Sequence, residues 1–465
     1  YRALLLLNLL PNYTMSNLPI INPFHWGFRG TIKHTTGPSG TTRLTLNHDN
    51  SKIDFQHFVS QYVPALKDGS KFKLNNLLFT GILQTMYLSG ADYTKCFPVF
   101  YGREIMELSD GGVCTVDNVM VPWEEKYNFR QDSGTFNKPE FEKDEQDTHP
   151  ENWPRLQPRT RYLTEKELAE VHDDQRPLIV VLHGLAGGSH EPIIRSLTGK
   201  LSKLGGGRFQ VAVLNCRGCA RSKITNKKLF SAFQTGDLKE FLARAKAKNP
   251  QRKIYAVGFS FGASLLSMYL GETGSESNLT AAVTLCCPWD FVVCSEKMKK
   301  DYWSKNLFSK AITQFLVRLV QVNFRELESP EGSKPEFQPD IENPCLYMCT
   351  KSNLKKAKSF TQMAEFDGTF TAPSMGFHSA EEYYRAGSAI NQLHKVQVPT
   401  LIINSTDDPI VGPDSIPYKE VKMNPNLLLL STDLGGHLAY LNESWDSWMN
   451  IQIASFLHKF DEFVV

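Results

Sequence analysis

Apolar residues follow two rhythms along this chain. Residues 178–182, 210–214, 254–257 and 281–286 are short, nearly continuous apolar runs, while 193–204, 236–248 and 263–270 carry apolar positions every three or four residues. The first kind predicts strands buried on both faces, and the second predicts the helices that join them. Their alternation marks a parallel sheet covered by helices on both sides. Strands at 400–404 and 427–430 and a closing helix at 445–460 extend the pattern.

Elsewhere the pattern loosens. Residues 101–108 and 113–116 flank Asp110-Gly111-Gly112, which predicts a hairpin and places the start of the main domain at 97, with 15–96 as an N-terminal extension. Within that extension the apolar stretch 74–88 predicts a helix, lying on the domain or on a membrane surface. Residues 129–158, rich in Asp, Glu, Lys, Pro and Asn with few aliphatics, predict a solvated excursion. Between the strands at 281–286 and 400–404 lies far more chain than a crossover helix needs. That excess, with an amphipathic helix at 303–322, predicts a cap over the C-terminal edge of the sheet, spanning about 288–398. The apolar run 3–10 is too short to span a bilayer, which takes roughly 20 residues. With Tyr1 in first place, Met15 is the expected start and 1–14 an upstream extension foreign to the native protein.

Composition changes this picture little. Lys+Arg 51 against Asp+Glu 49 in 465 residues leaves +2, which gives no ground for a nucleic-acid partner. The basic residues Lys239, Arg244, Lys246, Lys248, Arg252 and Lys253 read as a solvated helix face rather than a phosphate site. Nine cysteines form an odd, sparse set, expected to be free thiols of an intracellular protein. Cys216 and Cys219 make a C-x-x-C without a second ligand pair, so they read as packing residues, and no metal is expected. The N-x-S/T triplet at Asn404 falls at the end of a core strand, a poor glycosylation site.

The chemistry begins where the strand at 254–257 runs into Gly258-Phe259-Ser260-Phe261-Gly262 and then a helix. G-x-S-x-G between strand and helix is a nucleophile elbow, and it predicts an α/β-hydrolase fold: a mostly parallel central sheet with helices on both faces and a cap insertion. Side chains at Gly258 and Gly262 would collide with neighbouring backbone in so sharp a turn. An alcohol is a weak nucleophile at its ordinary pKa, so Ser260 needs a base, and the order in this fold is Ser, acid, His. His437, in Gly435-Gly436-His437 between the last strand and the closing helix, is the histidine so placed. The acid belongs on the loop after 400–404, where Asp407 and Asp408 both stand. Asp408 is favoured because Pro409 holds it extended, with Asp407 as the alternative. In Leu182-His183-Gly184-Leu185-Ala186-Gly187-Gly188 a glycine-rich turn follows the strand beside the elbow, and the backbone N–H groups of Leu185 and Phe261 are the expected oxyanion donors. His183 is expected to brace that loop.

With these residues in place, the chain resembles the fungal medium-chain fatty acid ethyl ester synthase/esterases, within the wider group that includes the plant embryogenesis-associated type. The likeness runs from 22–27 to 461–465 and is most specific at 182–196 (LHGLAGGSHEPIIRS), 217–225 (RGCARSKIT) and 433–441 (DLGGHLAYL). It implies transfer of a medium-chain acyl group from acyl-CoA to ethanol and hydrolysis of the resulting fatty acid esters, with coenzyme A as leaving group and no resident cofactor. It also implies a place on the cytosolic face of a lipid droplet or the mitochondrial outer membrane, by peripheral contact. The family's aspartate five residues beyond the histidine is Asn442 here, so a histidine–aspartate acyltransferase motif is not available in that form. Two other readings stay open: a monoacylglycerol lipase or general carboxylesterase, and a catalytically silent lipid-binding scaffold.

Overall fold

Every residue of the six central parallel strands is buried, which is why they read as unbroken apolar runs rather than alternating ones. The computed structural model describes residues 29–90 and 97–465. Its strands, in chain order, are β1 (Arg29–Thr35), β2 (Arg43–Thr45), β3 (Lys52–Asp54), β4 (Lys71–Lys73), β5 (Tyr101–Glu107), β6 (Val113–Val119), β7 (Thr160–Tyr162), β8 (Leu178–Leu182), β9 (Gln210–Asn215), β10 (Ile254–Phe259), β11 (Ala281–Leu285), β12 (Thr400–Ser405) and β13 (Leu427–Thr432). Eleven form one sheet in the order β4-β1-β13-β12-β11-β10-β8-β9-β6-β5-β7, and β2 pairs with β3 apart from it. From β13 to β9 all neighbours are parallel.

The pleat divides each strand between two cores. Ile179, Val181, Val213 and Val257 pack with the Pro192–Lys203 and Trp448–Phe463 helices, while Leu178, Val180, Leu182 and Ala256 face the Phe261–Thr273 helix. Phe55 and Phe58, on the Phe55–Tyr62 helix, set their rings against Phe456 and Phe460 of the closing helix.

Four expectations change. The boundary at 97 does not divide the fold, because β1 lies antiparallel on β13 with Ile32 opposite Thr432, and β4 on β1. The short, half-polar strands of residues 29–73 carry a weaker hydrophobic signal than the core strands they extend. The helix expected at 74–88 is Gly81–Gly90, and the residues before it make a turn whose Asn75 N–H donates to Leu441 O (2.8 Å). Residues 129–158 contain the Lys138–Thr148 helix, capped by Asn137, and its Phe141 is buried with Phe100, Trp123 and Tyr127. Aromatic residues supply the core there in place of the scarce aliphatics. Finally, Trp289, Ala389, Leu393, Val396 and Val398 belong to the sheet's own core, so the cap proper is narrower than 288–398.

The cap is a set of helices, Phe291–Lys300, Lys310–Val322, Lys351–Ala357 and Ala380–Gly387 among them. The amphipathic helix expected at 303–322 is there as a π-helical turn, Ser304–Ser309, running into Lys310–Val322. Asn404 is fully buried, and its side chain accepts from Trp289 Nε1 (2.9 Å). The apolar run at 3–10, the expected start at Met15 and the beginning of the family likeness at 22–27 lie outside the described residues. Among the described residues no helix is long and apolar enough to cross a membrane.

Candidate active site

β10 delivers Ser260 to the edge of the sheet, and the Phe261–Thr273 helix begins one residue later. So abrupt a reversal puts Ser260 at φ 51°, ψ −117°, a strained conformation worth about 1–3 kcal/mol for a residue with a side chain. Its N–H donates to Leu285 O (2.9 Å), tying the elbow to β11. A Cβ on Gly258 would stand 2.6 Å from Ala263 Cα, and one on Gly262 2.5 Å from the carbonyls of Leu182 and His183. Glycine is required at both.

The serine, histidine and favoured aspartate come together. His437 Nε2 lies 2.8 Å from Ser260 Oγ, and His437 Nδ1 lies 2.7 Å from Asp408 Oδ2. The other carboxylate oxygen, Oδ1, accepts from the backbone N–H groups of Ile410 (2.7 Å) and Val411 (2.9 Å). Every hydrogen bond to Asp408 is therefore one a carboxylate accepts, so Nδ1 carries the proton and Nε2 is left to accept from Ser260. The other aspartate does something else: Asp407 Oδ1 accepts from Ser405 Oγ (2.6 Å) and from Gly436 N–H (2.9 Å), holding the histidine loop by its backbone.

Leu185 and Phe261 both face the cavity that Ser260 and His437 line. Phe261 opens its helix, so its N–H has no partner within the helix and forms part of the positive end of the helix dipole. Leu185 stands in a turn closed by Gly187 N–H donating to Gly184 O (3.1 Å). His183 braces this loop from below: its Nε2 accepts from Cys216 N–H (3.1 Å), which leaves Nδ1–H to donate to Gly184 O (2.7 Å). Burial pushes its pKa down to about 4, so the ring is neutral.

Three supports were not legible as functional in the sequence. Thr85, on the Gly81–Gly90 helix, accepts from His437 N–H (2.8 Å) and donates to Gly81 O (2.6 Å), so the N-terminal segment holds the histidine directly. Glu191 lines the cavity and accepts from Gly188 N–H (3.4 Å), with burial pushing its carboxyl up to about 7. Asp117, buried on β6, receives Arg103 through two 2.7 Å bonds, Asn215 Nδ2 at 2.8 Å and Ser189 Oγ at 2.5 Å, and so anchors the far end of the oxyanion loop. The available signal for Asp117 was a charged residue directly after the strand-like run 113–116; Thr85 had none.

Cys286, the residue after β11, shares the site. Its Sγ, Asp408 and His437 present ligand atoms within 4.8 Å of one another, the one such trio of metal-binding side chains among the described residues. Burial pushes the Cys286 thiol well above its usual range, and its Sγ already accepts from Leu438 N–H (3.3 Å). A metal would need the thiolate that this setting disfavours. Cys216 and Cys219 are free, and burial raises both thiols.

The cavity itself has a volume of about 330 Å³. Apart from Ser260, His437 and a few other polar groups its walls are apolar: Leu88 from the N-terminal helix, Leu229 and Phe230, and Phe291, Leu316 and Phe366 from the cap.

A family model described as alpha/beta hydrolase fold matches residues 177–444. The chain is 56% identical over 97% of its length to the medium-chain fatty acid ethyl ester synthase/esterase 2 of Saccharomyces cerevisiae, covering 99% of that protein. It is 30% identical over 90% of its length to the monoacylglycerol lipase of the same yeast, covering 87% of it. Among solved structures it is similar to an esterase of Pyrococcus furiosus at 13% identity and a TM-score of 0.43, over 81% of this chain and 96% of that one. The chain belongs to the alpha/beta-hydrolase fold family and, within it, to the medium-chain fatty acid ethyl ester synthase/esterases.

Proposed function

We propose that this protein is a serine acyltransferase and esterase that forms medium-chain fatty acid ethyl esters from acyl-CoA and ethanol, and hydrolyses such esters, through one acyl-serine intermediate. The observation that carries the reading is the hydrogen-bonded chain from Ser260 through His437 to Asp408 opening on an apolar cavity. Its identity with the yeast synthase/esterase supports the choice of substrate.

His437 Nε2 takes the Ser260 proton as Oγ attacks the acyl carbonyl, and Asp408 stabilises the imidazolium and keeps the ring in its tautomer. The N–H groups of Leu185 and Phe261 receive the oxyanion. His437 then protonates the departing sulfur, and coenzyme A leaves; no resident cofactor enters the cycle. An alcohol or water next gives its proton to Nε2 and attacks the acyl-serine, which yields an ester or a free acid. Exposed Leu77 and Met86, on the segment that brings Thr85 and Leu88 to the cavity, support peripheral contact with a lipid surface.

Water stands at about 55 M, so a synthase must position the alcohol or exclude water to compete. The test supplies octanoyl-CoA with graded ethanol and measures ethyl octanoate against octanoate. The expected ratio rises with ethanol and exceeds the ethanol-to-water mole ratio. A ratio no higher than that, with brisk cleavage of monoacylglycerol, would make the protein a lipase instead.

A further inference from the structure

On the cap side of the apolar cavity stands a carboxyl that the reaction does not use. Asp367 lies on the cap in a π-helical turn, Asp367–Thr371, inserted between Met363–Phe366 and Ala372–Ser374. Turns of this kind recur at functional sites because they re-aim side chains that a regular helix would place elsewhere. Here the turn sets Asp367 and Thr371 on one side, so that Thr371 Oγ1 donates to Asp367 Oδ1 (2.7 Å). From the Ala380–Gly387 helix Tyr384 Oη donates to Oδ2 (2.6 Å). All three side chains line the same cavity as Ser260 and His437.

The cluster belongs to the buried part of the cavity's lining: Asp367 is 8% exposed and Tyr384 4%, whereas the cavity-lining Phe315 is 57% exposed. A line of rings leads inward from the serine: Phe261, its neighbour, stacks on Phe291 at 6.5 Å between centroids, and Phe291 meets Tyr384 edge-on at 6.1 Å. An acyl chain attached to Ser260 and laid along these rings runs over apolar surface until it meets Tyr384 and the carboxyl. Beyond that point each added methylene would have to displace or desolvate polar groups instead of burying itself against carbon.

We infer that Asp367, with Thr371 and Tyr384, is the polar stop of the acyl-binding arm of the cavity and sets the length of the acyl chain that reacts at Ser260. The inference rests on the acyl-serine reading above. Burial pushes the Asp367 carboxyl up to about 6, so at neutral pH it still presents mainly charge to a chain end. Its two donors keep that charge in place, which a lone buried carboxylate could not do.

The test compares kcat/KM for p-nitrophenyl esters from hexanoate to hexadecanoate in wild type, Asp367→Leu, Asp367→Asn and Thr371→Val. Each methylene accommodated in an apolar pocket is worth roughly tenfold or more in discrimination. Asp367→Leu should therefore raise the dodecanoate-to-octanoate ratio by about tenfold or more. Asp367→Asn, still polar, should shift the ratio less, and Thr371→Val should shift it in the same direction. If Asp367→Leu does not fold, the other two variants carry the test. A flat length profile in wild type, or variants that fold and lower every ester by the same factor, would overturn the stop. These esters need no ethanol, so a changed length profile beside a failed ethanol-partition experiment would keep the stop and reject the synthase, and the converse pair would do the opposite.

Discussion

The catalytic cavity has two unlike walls. One is the sheet edge, where Ser260, His437, Asp408 and the loop from His183 to Ser189 are fixed by backbone turns and by hydrogen bonds to buried partners. The other is the cap, where short helices and two π-helical turns present carbon, with a single buried carboxyl among it. A reacting group must sit within a few tenths of an ångström of its partner, and only strand ends and tight turns hold that tolerance. A chain-binding wall needs only shape and polarity, which many packings supply. The two walls should therefore fail differently: damage to the first lowers the rate for every substrate, and damage to the second changes which substrate wins.

The largest effect expected on the sheet side is that of Ser260→Ala, which should abolish ester synthesis and hydrolysis together while leaving the fold intact, with no more than about 10³-fold over water surviving from binding and the oxyanion donors. His437→Ala should behave almost the same. A variant keeping half the wild-type rate would remove Ser260 from the mechanism.

Next comes the aspartate pair. Asp408→Asn presents the wrong group to Nδ1–H and should lower kcat by about 10⁴-fold. In Asp407→Asn the amide oxygen can still accept from Gly436 N–H, so the loss should be small. Should Asp407→Asn prove the severe change on one chromogenic ester, the acid is misassigned by one residue and the mechanism stands.

Thr85 sharpens the comparison, because it belongs to neither wall and yet holds His437. Thr85→Val removes the acceptor of His437 N–H and should cut kcat by about tenfold to a hundredfold with little change in KM, while Thr85→Ser recovers most of the rate. Equal loss in both variants would make the contact one of packing alone.

The smallest effect is on stability. The native His183 ring resists protonation until about pH 4, whereas in the unfolded chain it takes a proton near 6.5. Stability is thus fully present above about pH 6.5 and declines as pH falls toward 4, and His190, also lowered to about 4 by burial, acts in the same direction. Thermal unfolding followed from pH 7 to pH 4 should show a shallower decline in His183→Asn than in wild type. Parallel curves would mean that the histidine is accessible to protons in the native state.

How much of this was legible follows from where each signal lies. Strands such as 178–182 and 427–432 announce themselves because burial on both faces leaves no polar position in their centres. The elbow, the glycine-rich loop and the histidine loop could be read because their backbone conformations admit few residue types. Thr85 could not, since a threonine in a helix says nothing of a loop 352 positions away in sequence. Asp367 could not either: nothing in the Asp-Gly-Thr of residues 367–369 tells that the cap buries the carboxyl. The membership of β1 and β4 in the main sheet was hidden for a related reason, as edge strands of mixed polarity resemble any short extended piece.

Synthesis and hydrolysis both turn on one covalent intermediate, and it can be sought directly. After rapid mixing with octanoyl-CoA and an acid quench, the peptide containing Ser260 should carry one octanoyl group by mass spectrometry. The adduct should decline faster as ethanol is added, with ethyl octanoate appearing in step, and it should be absent from Ser260→Ala. Steady release of coenzyme A with no adduct at Ser260, or with the octanoyl group on another residue, would contradict the account.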